Sequence, residues 1–117
     1  MLPRGNRLRR STDFPDTTRR GVRAARSLLV VHVAPPNACT EVLTRVGLTV
    51  GKGVGGSVVR HKVSRRLRAE IRGRLGIVPI GSTIVVRALP GAASASSATL
   101  GRELESALMS AASKLSR

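Results

Sequence analysis

Basic side chains concentrate between residues 57 and 74, at spacings that place them on one side of a helix. At 100° per residue, six of them form a continuous arc, in the order Arg68, His61, Arg72, Arg65, Lys62 and Arg66. Arg60 lies beside the apolar stripe, so we expect its stem to pack and its guanidinium to reach water. Like charges four residues apart repel in a free helix, whereas guanidinium groups bind phosphate bidentately. The arc therefore predicts a surface for the phosphates of a nucleic acid.

A glycine loop precedes this helix and offers a second chemistry. Gly51-x-Gly53-x-x-Gly56 matches a dinucleotide-binding fingerprint. No acid ends the next strand, where Leu89 and Pro90 stand, and the chain is too short for two mononucleotide-binding halves. The same loop contains a GXXG, but that loop joins two helices in KH domains, and here a strand precedes it. We interpret the loop as a turn whose backbone N–H groups, with Lys52, face a phosphate.

No arrangement of residues indicates a protein active site. Metal-dependent nucleases need clustered carboxylates, and the six acids of this chain are scattered, at positions 13, 16, 41, 70, 103 and 105. His32 and His61 lack the converging partners that acid–base cleavage requires. Cys39 is the only cysteine, which excludes a disulfide framework and a cysteine metal cluster. The sequence assigns no catalytic residue and no metal ligand to this chain.

Composition predicts one small domain with a polyanionic partner. The 117 residues carry 21 Lys plus Arg against 6 Asp plus Glu, a net charge of +15. Apolar residues make up 41% of the chain and Phe14 is its only aromatic, so we expect an aliphatic core. No run approaches the ~20 apolar residues of a membrane helix, and the basic N-terminus lacks the apolar stretch of a signal peptide. We expect a cytoplasmic protein without membrane contact.

Periodicity and turn signals predict the elements that must position these residues. A basic arm occupies residues 1–10, and a short helix capped by Ser11 or Asp13 runs to about Arg20. The remaining predicted elements are strands at 28–34, 42–50 and 83–89, the basic central helix at 57–74, a small-residue linker at 90–99 and an amphipathic C-terminal helix at 100–116. The order αββαβα predicts a single domain, 1–117, with helices packed on one sheet.

The run RVGLTVGKGVGGSVVRHKVSRRLRAEIR, residues 45–72, resembles the signature of the protein components of bacterial ribonuclease P. That family has a strand R-V-G-L-x-V, a Lys- and Gly-containing loop, and a helix that carries R-N-R. The triplet Arg60-His61-Lys62 stands at R-N-R. The opening also fits, with Asn6-Arg7-Leu8 and Asp13-Phe14. The resemblance covers residues 3–115 in element order and is specific at 4–14 and 45–72.

The resemblance implies an α+β fold, an αβββαβα sandwich with a left-handed crossover around the central helix and a short extra strand near residues 23–26. It also implies that one protein monomer pairs with one catalytic RNA. Together they remove the 5′ leader from precursor tRNA by hydrolysis. In this family the RNA holds the active site and the Mg²⁺, and the polypeptide alone is not catalytic.

The resemblance also implies two binding surfaces. The basic helix contacts the RNA subunit through Arg60, His61, Lys62, Arg65, Arg66, Arg68 and Arg72. The single-stranded leader binds in a cleft between the sheet and the first helix, at positions that match Phe14, Thr18, His32, Arg45 and Lys52. Further RNA contacts fall in the arm, at Arg7, Arg9 and Arg10. Thr18 and His32 stand where the family has aromatics. Because stacking is worth ~1–3 kcal/mol per base, we expect the leader to be held here more by charge and hydrogen bonds.

Two other functions share the basic composition. A ribosomal or other structural RNA-binding protein would show the same charge and have no enzymatic role. A DNA-binding regulator is disfavoured, because a helix-turn-helix needs a helix directly before the recognition helix, and residues 46–50 read as a strand.

Overall fold

Four strands and two long helices make up the part of the chain that the computed structural model describes, residues 21–35 and 44–115. In chain order they are β1 (Val22–Ala25), β2 (Leu29–Ala34), β3 (Arg45–Thr49), α1 (Ser57–Arg72), β4 (Thr83–Ala88) and α2 (Ser97–Leu115). Short 3-10 helices occupy Leu75–Ile77 and Pro90–Ser94. The basic arm and the predicted first helix lie outside the described residues.

The strands form one sheet in the order β1-β2-β4-β3. β1 and β2 are antiparallel and are joined by a tight turn, closed by a 2.8 Å bond from Arg26 N–H to the Leu29 carbonyl. β2 and β4 are antiparallel, whereas β3 and β4 are parallel. A parallel pair needs a crossover connection, and α1 lies within that connection. β1 confirms the extra strand that the family resemblance implies, so the described order βββαβα fits the expected α+β sandwich.

Both helices pack on the same face of the sheet, and the core between them is aliphatic. The sheet contributes alternate residues such as Leu29, Val31 and Ile84, all fully buried. The helices contribute Val63, Leu67 and Ile71 from α1 and Leu100, Leu104 and Leu108 from α2. Among the described helices, none is long and apolar enough to cross a membrane.

Val59 departs from the predicted apolar stripe, because it remains 36% exposed while the other three members of the stripe are buried. It lies in the first turn of α1, where its side chain stands beside Gly55 of the glycine loop. The stripe therefore begins one turn later than its periodicity predicts.

Helix boundaries also differ from the sequence prediction. The predicted linker 90–99 is partly helical: Pro90–Ser94 is a 3-10 helix, and α2 begins at Ser97. Ser96 caps α2, since its hydroxyl accepts a 3.2 Å hydrogen bond from Thr99 N–H. At its C-terminal end, α1 stops at Arg72 and not at residue 74. The chain turns at Gly73, and Arg74 N–H donates to the Ile71 carbonyl at 2.9 Å.

Candidate nucleic-acid interface

The outer face of α1 is basic and exposed. His61, Lys62, Arg65 and Arg72 are exposed, while Arg66 and Arg68 are half-buried. None of these cations is in an ion pair with a described carboxylate, because the described salt bridges all belong to Arg74. Lys62 and Arg66, and likewise Arg68 and Arg72, are like-charged pairs four residues apart, so the free protein holds mutually repelling cations on this face. An anionic partner would relieve that repulsion.

Two arginines of the predicted surface are partly engaged within the fold. Arg66 donates from Nη1 to the Ala95 carbonyl at 3.1 Å, which ties α1 to the segment before α2. Arg60 is half-buried, and its Nε is buried without a hydrogen-bond partner in the described part of the chain. Its stem therefore packs beside the core, as the helical spacing predicts. The side chains of the arc that make no described hydrogen bond or ion pair are those of residues 61, 62, 65, 68 and 72, of which Arg68 is half-buried.

The described acids lie at the contacts between α2 and its neighbours. Glu70 pairs with Arg74 at 3.6 Å, and Glu105 on α2 pairs with the same arginine at 3.7 Å. Glu103 accepts hydrogen bonds from the β1–β2 turn. Each of these carboxylates serves the packing of the fold. The exposed basic face of α1 is left uncompensated by described acids.

The glycine loop leads into the N-terminus of α1, where the backbone N–H groups of the first turn have no acceptor within the helix. Gly56 is the N-cap residue and supplies no side-chain cap, and the first turn contains no acid. The buried side chain of Val54 holds the loop against the body of the protein. Within the loop, Val54 N–H donates to the Gly51 carbonyl at 3.1 Å. Lys52 is exposed at the tip. A helix N-terminus with these properties favours anions.

One face of the sheet packs against the helices, and the opposite face carries rows of residues that are neighbours across the four strands. Strand register places Arg23, His32, Val85 and Gly47 side by side across β1, β2, β4 and β3. The next row on this face contains Arg87 and Thr49. A groove of about 570 Å³ lies here, lined in part by His32, Val85, Arg87 and Thr49 and by Gly51, Gly53 and Val54 of the glycine loop. We call this side of the sheet the groove face.

His32 is half-buried at the groove, and its environment favours the neutral imidazole. Burial lowers the pKa of His32 below its ordinary 6.5, and the positive charges of Arg23 and Arg87 lower it further. The three side chains therefore interact electrostatically in the free protein. A site with this charge attracts an anion.

The structure separates the predicted leader-binding residues. His32 lines the groove, and Lys52 lies between two glycines that line it. Arg45 is on the groove face but in another row, paired with Thr83 at the opposite end of β3. Phe14, Thr18 and the arm residues Arg7, Arg9 and Arg10 lie outside the described residues. Arg23 and Arg87 were missed by sequence reasoning, because only the sheet order brings them beside His32.

The described residues do not offer a metal site. No group of three or more His, Cys, Asp or Glu side chains that could hold a metal ion occurs among them. The described carboxylates already take part in the contacts with Arg74 and with the β1–β2 turn. The arrangement is suited to binding phosphates and contains no described set of groups for hydrolysing them.

Comparison with known proteins agrees with this geometry. The family model for ribonuclease P matches residues 2–112. The ribonuclease P protein component of Streptomyces avermitilis is 53% identical over 114 residues, which cover 92% of this chain and 93% of that protein. The corresponding protein of a Mycobacterium species is 50% identical over 109 residues, 92% of this chain and 91% of the relative.

Solved structures share the fold. The RNase P protein from Thermotoga maritima superposes with a TM-score of 0.76 at 24% identity, over 89% of this chain and 96% of that one. The RNase P protein of Staphylococcus aureus gives a TM-score of 0.74 at 22% identity, over 96% and 95% of the two chains. From the sequence matches, with the fold in agreement, the chain belongs to the ribonuclease P protein family.

Proposed function

We propose that this chain is the protein subunit of ribonuclease P, the endoribonuclease that removes the 5′ leader from precursor tRNA. Family membership supports the tRNA-processing role. The observation that carries the proposal is the presence of two basic surfaces on different sides of the molecule, the outer face of α1 and the groove face. One chain can thereby hold two RNA segments at once.

The outer face of α1 binds the RNA subunit. Its exposed cations sit on a rigid helix whose other side is anchored by Val63, Leu67 and Ile71 in the core. A folded RNA presents closely spaced phosphates, and Arg and Lys bind them while displacing counterions. The contact involves Arg65, Arg68 and Arg72, with His61 and Lys62 beside them.

The groove face binds the single-stranded leader. A strand of RNA lies along the groove with its phosphates near Arg87 and His32 and within reach of Lys52 at the loop. None of the described residues is aromatic, because Phe14 is the only aromatic of the chain. Charge and hydrogen bonding therefore supply most of the affinity from the described part of this surface, and Phe14 adds a stacking contact.

Catalysis belongs to the RNA subunit in this proposal. Two-metal hydrolysis of a phosphodiester needs metal ligands around the scissile bond, and the described residues contain no such cluster. Mg²⁺ bound by the RNA supplies that chemistry. The protein, one copy per RNA and acting in the cytoplasm, binds both RNAs and holds the leader in place.

Reconstitution tests the role. A ribonuclease P RNA is assayed for cleavage of precursor tRNA at low Mg²⁺, with and without the purified chain. We expect the chain to restore cleavage at the 5′ leader junction, and the Arg65→Ala/Arg68→Ala double variant to require a higher protein concentration. A chain that binds the RNA but leaves cleavage unchanged would contradict the proposal and favour a purely structural RNA-binding protein.

The two surfaces are separated by varying leader length. Phe14→Ala and Lys52→Ala should leave assembly with the RNA subunit nearly intact and weaken binding of precursor tRNA with a leader several nucleotides long. Loss of one stacked ring costs about 1–2 kcal/mol, roughly 5- to 30-fold in affinity. Arg65→Ala/Arg68→Ala should weaken assembly for all substrates alike. The same leader-independent defect in both classes would refute the assignment of two surfaces.

A further inference from the structure

Arg23, His32 and Arg87 are neighbours on the groove face. Arg23 and His32 are direct partners in the β1–β2 register, and His32 pairs with Val85 on β4. Arg87 lies two residues beyond Val85 on the same face, diagonal to His32. Directly opposite side chains have Cβ atoms about 5 Å apart, and diagonal ones about 7–8 Å. Guanidinium groups on β1 and β4 can therefore reach a single anion that lies above the imidazole on β2.

Among the described residues, positive charge faces His32 from both strands that pair with β2. Arg23 approaches from β1 and Arg87 from β4, and both disfavour the charged imidazole. Arg45 shares the face from β3, and Lys52 stands on the loop beside the groove. Among the described residues, the acids Glu70, Glu103 and Glu105 lie on the helices, so no described carboxylate compensates this cluster. The two arginines flank the imidazole and disfavour its charged form until an anion binds.

We propose that Arg23, His32 and Arg87 form a binding subsite for one phosphodiester of the RNA leader, and that His32 takes up a proton when that phosphodiester binds. This inference rests on the proposed function, in which the leader occupies the groove. Arg23 and Arg87 thereby join His32 in binding one phosphate of the leader. Because His32 gains a proton in this step, the affinity for the leader depends on pH.

The uptake of a proton by His32 follows from the charges that surround its imidazole before and after the leader binds. In the free protein, burial and then the charges of Arg23 and Arg87 lower the pKa of His32 and so favour the uncharged ring. A phosphodiester keeps one negative charge throughout the range in which imidazole titrates. Placed against the ring, it offsets the two arginines and favours the imidazolium, whose N–H donates a charge-assisted hydrogen bond to a phosphate oxygen. The proton comes from solvent, and no covalent bond is made or broken.

The test uses the holoenzyme assembled from a ribonuclease P RNA and the full chain. Dissociation constants are measured between about pH 5.5 and 8 for two precursor tRNAs, one with a leader of several nucleotides and one with a single nucleotide. Affinity for the long leader should rise roughly three- to tenfold as the pH falls from about 7.5 to 6, as expected for the uptake of roughly a third to two thirds of one proton over that range. The short-leader substrate should not show this rise, and it controls for titration of the RNAs and of assembly.

Variants assign the effect to the subsite. His32→Gln retains a hydrogen-bonding side chain that does not titrate, so it should remove the pH dependence and keep most of the long-leader affinity at pH 8. Arg87→Gln should weaken long-leader binding at every pH. Arg102→Gln, which removes an exposed arginine from α2, is the charge-matched control and should change neither property.

A measurement on the unmodified chain makes the test independent of whether the variants fold. The sequence contains two histidines, and sequential backbone assignment of the unmodified chain distinguishes the imidazole of His32 from that of His61 in a nuclear magnetic resonance experiment. Adding a leader oligoribonucleotide should raise the pKa of His32. No rise on saturation with the oligonucleotide would overturn the proton uptake.

The failures of the subsite and of the proposed function are distinguishable. If the subsite is wrong, the holoenzyme still binds long-leader precursor tRNA more tightly than short-leader precursor tRNA. The ratio of the two affinities is then the same at every pH, and Arg87→Gln leaves it unchanged. If the proposed function is wrong, the chain confers no dependence on leader length at any pH. Either result overturns the inference.

Discussion

The carboxylate of Glu103 on α2 accepts a hydrogen bond from the backbone N–H of Leu28 at 2.9 Å. Its second oxygen accepts a 2.7 Å hydrogen bond from the hydroxyl of Ser27, the preceding residue of the β1–β2 turn. A helix side chain thereby caps a turn of the sheet. Because β1 is an edge strand that carries Arg23, this contact also stabilises the position of one residue of the groove face.

Replacing this carboxylate should destabilise the fold. Glu103→Ala leaves the Leu28 N–H without its partner, and we expect the free energy of unfolding to fall by about 1–3 kcal/mol. Glu105→Ala removes the same charge from an exposed ion pair and should cost less than about 1 kcal/mol. Urea unfolding of both variants makes the comparison. Equal losses would mean that the turn does not depend on the carboxylate.

Arg66 should differ from its neighbour Arg65 in its effect on stability. Arg66→Ala removes the bond from Nη1 to the Ala95 carbonyl, which joins α1 to the start of α2. We expect a loss of about 1 kcal/mol in the free energy of unfolding. Arg65 is exposed, so Arg65→Ala should leave stability unchanged while weakening RNA binding. Thermal unfolding without RNA, combined with RNA titration, measures both effects. If the free energy of unfolding of Arg66→Ala equals that of the unmodified chain, Arg66 does not stabilise the fold and contributes to RNA binding only.

Two glycines of the loop before α1 should respond in opposite ways to alanine. A Cβ on Gly55 would lie 2.8 Å from Cγ1 of Val59, whereas nothing lies within 4 Å of a Cβ on Gly53. Gly55→Ala should therefore cost about 1–3 kcal/mol through overpacking. Gly53→Ala should be neutral or stabilising by up to about 1 kcal/mol, because it restricts the unfolded chain. Chemical denaturation measures the free energy of unfolding of both variants. Equal changes in the two variants would argue against the close packing of Gly55 on α1.

The free protein should lose stability in mild acid partly through His32. Burial, followed by Arg23 and Arg87, lowers the pKa of His32 in the folded state below 6.5, so the unfolded chain binds this proton more readily. The contribution is fully present above pH 6.5 and is lost as the pH falls towards the lower folded-state value. His32→Gln should show a smaller fall in the free energy of unfolding between about pH 7.5 and pH 5. If the free energy of unfolding falls with pH by the same amount in the unmodified chain and in His32→Gln, His32 does not contribute to the loss of stability.

Assembly with the RNA subunit should be strongly salt-dependent. If roughly 6 phosphates are neutralised, the plot of log affinity against log salt concentration should have a slope near −4 for single-stranded contacts. Arg65→Ala/Arg68→Ala should reduce the magnitude of the slope by roughly 0.7 for each lost phosphate contact, and Arg102→Ala on α2 should not change it. Filter binding over a range of KCl concentrations measures the slopes. A flat response in the unmodified protein would contradict the electrostatic interpretation of α1.

Much of the architecture follows from local sequence. The spacing of Val63, Leu67 and Ile71 predicts the buried side of α1, and strand patterns predict β2, β3 and β4 to within a few residues. β1 has only four residues and required the family resemblance. The structure begins α2 at Ser97, three residues before the start that the hydrophobic period predicts, because the small residues 97–99 carry no such period. The hydroxyl of Ser96 caps the helix there.

The sequence by itself determined the basic side of α1, the aliphatic core and the family, because each depends on residues that are close along the chain or on a contiguous motif. Only the tertiary structure decided that Arg66 is tied to Ala95 and that the described acids lie at packing contacts. It also decided that Arg23 and Arg87 flank His32. Those three residues come from separate strands, and no local periodicity encodes the order β1-β2-β4-β3. The order is set by which strands bury their apolar faces together beneath α1 and α2, and that depends on the whole chain.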